Sequence, residues 1–288
     1  MQGHNKWGRR ELSPLNSLRP HFGVSPRAIE HQSDAGTDFQ VAGCMLLIAD
    51  KPMPRQARIE VPGIPMHVTQ RGVNRCAIFV DDQDRHHYRS LLRDACRDHA
   101  VLVHAYVLMD NHVHLLIYSE RPGAVTRVMR AVGQTYVQAF NQRHGRIGTL
   151  WQGRYKSSLV DSEAYALRVM RYIELNPVRA AMVEAPEAHR WSSAHHHLGL
   201  RHDSLVTLHP LYLAMGDTPD ARIDAYRLWL TETLDEDELG HIRSHMAQEK
   251  ALGHPRFQAM LEKTLNRPVD LKPRGRPSKK GTEGIKRA

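Results

Sequence analysis

A hairpin carrying two histidines, at the centre of the chain, constrains the fold more than any other segment. Val101–Leu108 is an apolar run typical of a strand, and His112–Ile117 is a second such run. The turn pair Asp110–Asn111 separates them, which predicts an antiparallel hairpin. Because side chains alternate along a strand, His112 and His114 share one face of the sheet. Two imidazoles side by side are half of a metal site.

The segments on either side of the hairpin complete a known order of elements. A strand is predicted at Met66–Arg71, followed by a helix that Asp81 caps. A second helix follows Gly123, and Thr149–Val160 reads as the last strand. The order β-α-β-β-α-β predicts an α+β fold with a ferredoxin-like, palm-type antiparallel sheet. A third helix is predicted to end before Pro177, because the residue before a proline disfavours helical backbone.

Composition divides the chain into four predicted regions. Residues 1–53 lack periodicity and are rich in Arg, His, Pro, Ser and Gly, which predicts a disordered extension, and Met53 is an alternative natural start. Residues 54–200 form the predicted catalytic domain. Residues 201–268 are predicted to be a small helical region that is a candidate for binding DNA, and residues 269–288 a basic disordered tail.

Charge and cysteine usage limit the classes of partner. The formal net charge is +9 and the isoelectric point is about 9.6, which favours a polyanionic partner, although ordinary solubility charge is a fair alternative. The three cysteines, Cys44, Cys76 and Cys96, form no CxxC pair. This argues against a disulfide framework and favours a reducing cytoplasm. No apolar run is long enough to span a membrane, so no membrane partner is expected.

Tyrosine is the nucleophile that the chemistry of this sequence offers, because no serine or cysteine triad accompanies the histidines. Tyr136 lies on an apolar helical stripe and is expected in the core, and Tyr155 stands between two cations. Tyr165 and Tyr172 belong to the third predicted helix. Asn176 follows Tyr172 by four residues, on the same helical face, so its amide oxygen is a candidate third ligand beside the phenol.

Three segments in this order resemble the REP-associated tyrosine transposases, which belong to the single-tyrosine HUH superfamily. They are Met109–Leu116, Thr149–Lys156 and Tyr172–Ala180, and Arg58–Gly63 resembles the usual opening of that family. The likeness covers about residues 54–200. It implies a palm-type sheet with a following catalytic helix that acts on single-stranded DNA.

The resemblance also implies the role of each matching residue. His112 and His114 match the metal ligands, and Asn176 matches a polar third ligand. Tyr172 matches the nucleophile, whose attack leaves a 5′-phosphotyrosine link and a free 3′-OH. The implied ion is Mg²⁺, with Mn²⁺ able to replace it. The implied substrates are palindromic repeats folded as hairpins, and the implied outcome is strand cleavage and joining.

Aromatic and cationic side chains near the last strand predict a surface that binds single-stranded DNA. The alternative is an edge strand with a solvated charged face. Arg143 and Arg146 are expected to flank the DNA, and Arg274 with Arg276 resembles a short arm that enters a minor groove. The predicted strand contacts are Trp151, Arg154, Tyr155 and Lys156.

Two other functions stay open at this point. One is a DNA-binding regulator in which the histidine site is idle. The other is a different metal-dependent hydrolase, for example a zinc enzyme, which requires a strong third ligand such as Glu174 or His104. The protein is expected to be a monomer or a homodimer. The run His195–His197 is expected in a solvated loop or helix end, because consecutive residues do not share a face.

Overall fold

The computed structural model describes residues 58–232 and 235–272. One four-stranded sheet lies at its centre, in the spatial order β2-β3-β1-β4, and every neighbouring pair is antiparallel. This is the strand order of a split βαβ unit, so the predicted α+β, ferredoxin-like class is confirmed. The strands are β1 (Met66–Arg71), β2 (Leu102–Met109), β3 (His112–Tyr118) and β4 (Lys156–Leu159).

Two long helices, α1 (Asp82–His99) and α2 (Ala124–Arg143), cover one face of the sheet. The Asp81 side chain accepts a hydrogen bond from the Asp84 amide and caps α1, as the sequence predicted. Apolar residues of both helices pack on the odd-numbered positions of β3, from Val113 to Ile117. These positions make the larger of the two hydrophobic cores.

Shorter helices cover the opposite face, to which the even-numbered residues of β3 point. Of these helices, α3, α7 and α8 form a second core with β2 and β3, in which Leu116 is fully buried. The predicted C-terminal helices therefore pack on the helix that carries Tyr172. The later helices of the described chain, of which α9 packs on the first core through Leu261 and not on this face, are α3 (Ala166–Glu174), α4 (Asn176–Arg179), α5 (Ala194–His197), α6 (Pro210–Leu213), α7 (Pro219–Thr231), α8 (Glu236–Gln248) and α9 (Pro255–Leu265).

The last strand is shorter than the sequence predicted. Regular pairing covers only Lys156–Leu159, whereas Trp151 forms an isolated bridge to Gly72. The cause is the turn between them, in which Gly153 has a φ of 73°, a conformation that interrupts a strand. The segment around Gly153 therefore projects as a loop at the sheet edge.

The third helix ends before Pro177, as predicted, but the chain re-enters helical structure at once. The short helix α4 begins at Asn176 with Pro177 in its first turn, where a missing amide hydrogen is tolerated. The expectation of a solvated histidine run is wrong for His197. That side chain lies in α5 and is fully buried.

Some predictions fall outside the described residues. They are the N-terminal extension, the alternative start at Met53, most of the basic tail, and the two arginines Arg274 and Arg276. Within the described ranges, no helix combines the length and apolar character needed to cross a membrane.

Candidate active site

His112 and His114 lie on the sheet face opposite the α1–α2 core, as strand alternation predicted. Their ring centroids are 5.0 Å apart. Val113 and Leu115 point the other way and are fully buried among α1 and α2. Burial of these apolar side chains determines which face of β3 packs on the helices, and both imidazoles therefore point to the opposite face.

Each imidazole uses its Nδ1 atom in a hydrogen bond within the protein. His112 Nδ1 lies 2.6 Å from Asn111 Oδ1, and His114 Nδ1 lies 2.8 Å from His67 Nε2. Burial lowers the pKa of His112 to about 4, with a smaller contribution from the positive charge of Arg71. Burial also holds the pKa of His114 well below its usual value. Both rings are therefore neutral at pH 7, which is the form that ligates metals.

Tyr172 lies on α3 beside these rings. Its side chain is 8% exposed, and its ring meets that of His114 edge-on, at a centroid distance of 5.8 Å. The guanidinium of Arg179 stands 4.2 Å from the Tyr172 ring centroid and donates to the Tyr172 carbonyl at 2.6 Å. A guanidinium in this position makes a cation–π contact that helps to hold the Tyr172 ring in place.

Asn176 reaches the same place from the start of α4. It lines one cleft together with His112, His114 and Tyr172. The four predicted residues therefore line the same cleft, and their roles as metal ligands and nucleophile stay predictions. The break between α3 and α4 at Leu175 does not remove Asn176 from the cleft.

This cleft has a volume of about 550 Å³ and is strongly basic. Burial lowers the pKa of Arg179, and Tyr172 beside it counteracts part of that effect. None of the lining residues, all of which belong to the described ranges, is acidic. Such a cleft attracts phosphate groups. The five cationic residues at its walls are Arg71, Arg154, Lys156, Arg179 and Arg243.

The four predicted strand contacts divide into two kinds. Arg154 and Lys156 are exposed and line the basic cleft. Trp151 and Tyr155 are 8% and 6% exposed, and each has its polar atom in a hydrogen bond, to the Gly133 carbonyl and the Thr126 hydroxyl. Both rings are therefore largely covered, and only their edges reach a second groove beside α2. Their DNA contacts stay a prediction.

Arg143 has a structural role in the described chain. Its guanidinium pairs with Asp81 at 2.5 Å and with Asp84 at 2.5 Å, which ties the end of α2 to the start of α1. These hydrogen bonds raise the pKa of Arg143. Arg146 lies in the next loop, 5.7 Å from the Phe140 ring centroid. Neither residue lines the basic cleft, and their contacts with DNA stay predictions.

Sequence reasoning missed four residues of the site: His67, Arg71, Arg179 and Arg243. Arg71 stands opposite His112 because of the register between β1 and β3, which the sequence does not display. Arg179 lies within the motif around Tyr172, and this motif offered a sequence signal for it. Arg243 arrives from α8, about seventy residues after the tyrosine, and no local pattern indicates it.

Buried neutral histidines make the stability of the fold sensitive to acid. Burial lowers the pKa of His67 to about 3 and that of His209 to about 4, from an ordinary value of 6.5. Below pH 6.5 these two imidazoles become protonated in the unfolded chain but stay neutral in the folded one. We therefore expect the free energy of unfolding to fall as the pH drops from 6.5 to 4.5, by up to about 1.4 kcal/mol per pH unit for each such group.

Urea unfolding at pH 7.5, 6.5, 5.5 and 4.5 measures this dependence. Most of this range lies above the ordinary pKa values of aspartate and glutamate, so paired carboxylates contribute mainly near pH 4.5 and little between pH 6.5 and 5.5. Replacing the exposed His202 by glutamine is the control and should leave the slope unchanged. A flat profile between pH 6.5 and 4.5 would contradict the buried neutral state of these rings.

A ferredoxin-like sheet, with a histidine pair and a tyrosine-bearing helix over one basic face, defines a DNA nicking and rejoining enzyme of the transposase class. Residues 60–176 match the family model of the IS200-like transposases.

Two solved structures are similar to this chain. One is a REP-associated tyrosine transposase bound to a REP hairpin, with 18% identity and a TM-score of 0.42, over 54% of this chain and 92% of that one. The other is a protein from Deinococcus radiodurans R1 assigned as a transposase, with 24% identity and a TM-score of 0.30, over 42% of this chain and 96% of that one. No curated protein matches the sequence significantly.

Transposases of the HUH superfamily use a divalent metal ion, and the donors in the cleft fit one. The two imidazoles are neutral, and their Nδ1 hydrogen bonds leave each Nε2 atom for a ligand bond. Within the described ranges, no three His, Cys, Asp or Glu side chains form a metal-binding group. Asn176 lines the same cleft, and its amide is the candidate third donor.

The two residues that a zinc hydrolase would need as ligands lie elsewhere. Glu174 is fully buried, and its oxygens accept hydrogen bonds from Ser193 and Tyr226. His104 Nδ1 lies 2.8 Å from the Thr207 carbonyl. Neither residue lines the basic cleft, so this alternative loses its support.

Proposed function

We propose that this protein cleaves and joins single-stranded DNA at palindromic repeats folded as hairpins, with Tyr172 as the nucleophile. His112, His114 and Asn176 hold a Mg²⁺ ion, which Mn²⁺ can replace. One observation carries the proposal: these four residues share a basic cleft that has no acidic lining residue. A single chain supplies all of them, so the chemistry requires no residue from a second copy.

The geometry suggests what each group does. The Tyr172 hydroxyl oxygen attacks the scissile phosphorus, the bond from phosphorus to the 3′ oxygen breaks, and the phenol proton ends on that oxygen. The products are a 5′-phosphotyrosine and a free 3′-OH. Arg179 stabilises the phenolate, while Arg71 and Lys156 hold the phosphate in place. The metal ion supplies Lewis-acid polarisation of the phosphate oxygens.

Joining is the reverse reaction with a 3′-OH from another strand end. That oxygen attacks the phosphotyrosine, and Tyr172 leaves and regains its proton. Arg179 stabilises the departing phenolate in this direction as well. The covalent link conserves the energy of the phosphodiester bond, so strand joining needs no external energy source.

A 3′-end-labelled hairpin oligonucleotide tests the proposal, because the nucleophile keeps the 3′ part of the strand. With Mg²⁺, a labelled covalent adduct is expected on a denaturing protein gel, and none is expected with EDTA. An oligonucleotide of the same length and composition that cannot fold is the matched control and should give much less adduct. Cleavage without any adduct, or an adduct that forms equally well in EDTA, would contradict the mechanism.

Removing either imidazole should abolish DNA cleavage and leave hairpin binding nearly unchanged. His112→Ala and His114→Ala are each expected to lower cleavage by roughly 10³-fold, because transition-state charge stabilisation is lost. Hairpin affinity, measured by fluorescence anisotropy, should remain close to that of the unaltered protein, since the cationic walls persist. His202→Ala, at an exposed position, is the control. Wild-type cleavage in both site variants would exclude the proposed ligands.

A further inference from the structure

His67 contacts two residues of the proposed active site, the metal ligand His114 and the nucleophile Tyr172. It lies on β1 and is 1% exposed. Its Nε2 atom is 2.8 Å from His114 Nδ1. Its ring centroid is 5.0 Å from that of His114 and 5.7 Å from that of Tyr172, which it meets edge-on. No sequence motif pointed to this residue.

The sheet register explains how His67 reaches these rings. β1 and β3 pair so that His67 stands opposite Leu116, and Thr69 opposite His114. His67 is thus the diagonal neighbour of His114, a position that long or aromatic side chains can bridge. Backbone hydrogen bonds on both sides of β1 hold the strand, because it pairs with β3 and with β4. His67 therefore lies on an interior strand of the sheet, paired on both sides.

The hydrogen bond decides which nitrogen of His114 is available to a metal. A neutral imidazole carries one proton, and only the other nitrogen has a lone pair to donate. If His67 Nε2 accepts, His114 carries its proton on Nδ1 and presents the lone pair of Nε2. The two ring nitrogens point in diverging directions, so His67 does not reach the ligand position of His114 Nε2.

We propose that His67 is a positioning residue: it fixes His114 in the tautomer with Nδ1 protonated, and so directs His114 Nε2 to the metal. Its edge contact with Tyr172 holds the nucleophile against the same ring. The inference rests on the proposed metal site. It makes metal binding at the site depend on His67, a residue that touches neither the ion nor the DNA.

The test uses Mn²⁺ binding to the full chain without DNA, followed by electron paramagnetic resonance. His67→Phe keeps a ring against Tyr172 but removes the acceptor, and should weaken Mn²⁺ binding about 10- to 100-fold. His67→Gln offers an amide oxygen as acceptor and should restore affinity to within about threefold. His104→Phe is the matched control, because His104 is another buried and hydrogen-bonded histidine outside the cleft. Its Mn²⁺ affinity should be unchanged.

Nitrogen-15 NMR of the histidine rings in the unaltered protein gives a second readout, which does not depend on how any variant folds. We expect the His114 proton on Nδ1. A proton on Nε2 would overturn the proposal.

The results separate this inference from the proposed function. If His112→Ala and His114→Ala lose Mn²⁺ binding while His67→Phe binds as the unaltered protein does, the role of His67 is wrong and the metal site stands. If the two alanine variants themselves bind Mn²⁺ normally, the metal site is wrong.

Discussion

Replacing Tyr172 by phenylalanine is expected to abolish the covalent protein–DNA adduct, with a loss on the order of 10⁴-fold or more in its rate of formation. Phenylalanine lacks the attacking oxygen. It retains the ring that packs against His67, His114 and Arg179, so the fold and the cleft should persist. Adduct formation is measured with the 3′-labelled hairpin on a denaturing gel. Hairpin binding, measured by anisotropy in the same variant, should be nearly unchanged.

Tyr165→Phe is the matched control for this experiment. Tyr165 immediately precedes α3, seven residues before Tyr172, and its ring packs against Arg168 and His254 rather than lining the basic cleft. Its phenylalanine variant should form the adduct at the wild-type rate. If the adduct persists in Tyr172→Phe and disappears in Tyr165→Phe, the nucleophile is Tyr165 and the assignment of Tyr172 is wrong.

The sequence was sufficient to predict the face that carries the site. Side chains on β3 alternate between the two faces of the sheet. The apolar side chains Val113, Leu115 and Ile117 share one face, which must be buried in a hydrophobic core. A slip of one residue would bury the histidines in that core and expose the apolar side chains. This energetic constraint is local, so one strand was enough to place His112 and His114 together.

The walls of the site depend on long-range pairing, which the sequence does not display. His67 meets His114 through the β1–β3 register, and Arg243 arrives from α8. No periodicity within a single element encodes which strands become neighbours. The predicted central residues share one cleft, whereas the prediction lacked three of the five cationic residues at its walls.

The aromatic residues near β4 show a second limit of sequence reasoning. A tryptophan and a tyrosine interleaved with cations fit a base-stacking surface and an ordinary core edge equally well. The structure covers both rings, because the turn at Gly153 directs Trp151 and Tyr155 toward α2 while Arg154 and Lys156 face solvent. Burial of an aromatic ring depends on the path of the backbone, which a shortened strand changes.

The helix that carries the nucleophile is anchored by a buried polar network that begins at Glu174. Ser193 donates to one carboxylate oxygen at 2.5 Å, and Tyr226 donates to the other at 2.8 Å. His197 Nδ1 lies 2.7 Å from the first oxygen. Glu174 is fully buried and stands two residues after Tyr172. The network connects α3 to α5 and α7, and thereby fixes the position of the tyrosine over the sheet.

Replacing Glu174 by alanine is therefore expected to destabilise the protein by about 3–5 kcal/mol, because it leaves buried polar partners unsatisfied and opens a cavity. Tyr226→Phe removes only one hydrogen bond and should cost about 1.5–3 kcal/mol. Glu163→Ala, at an exposed position near the same helix, is the matched control and should change stability by less than about 0.5 kcal/mol. Urea unfolding at pH 7.5 measures all three. A loss below 1 kcal/mol in Glu174→Ala would mean that apolar packing of α3, rather than this network, holds Tyr172 in place.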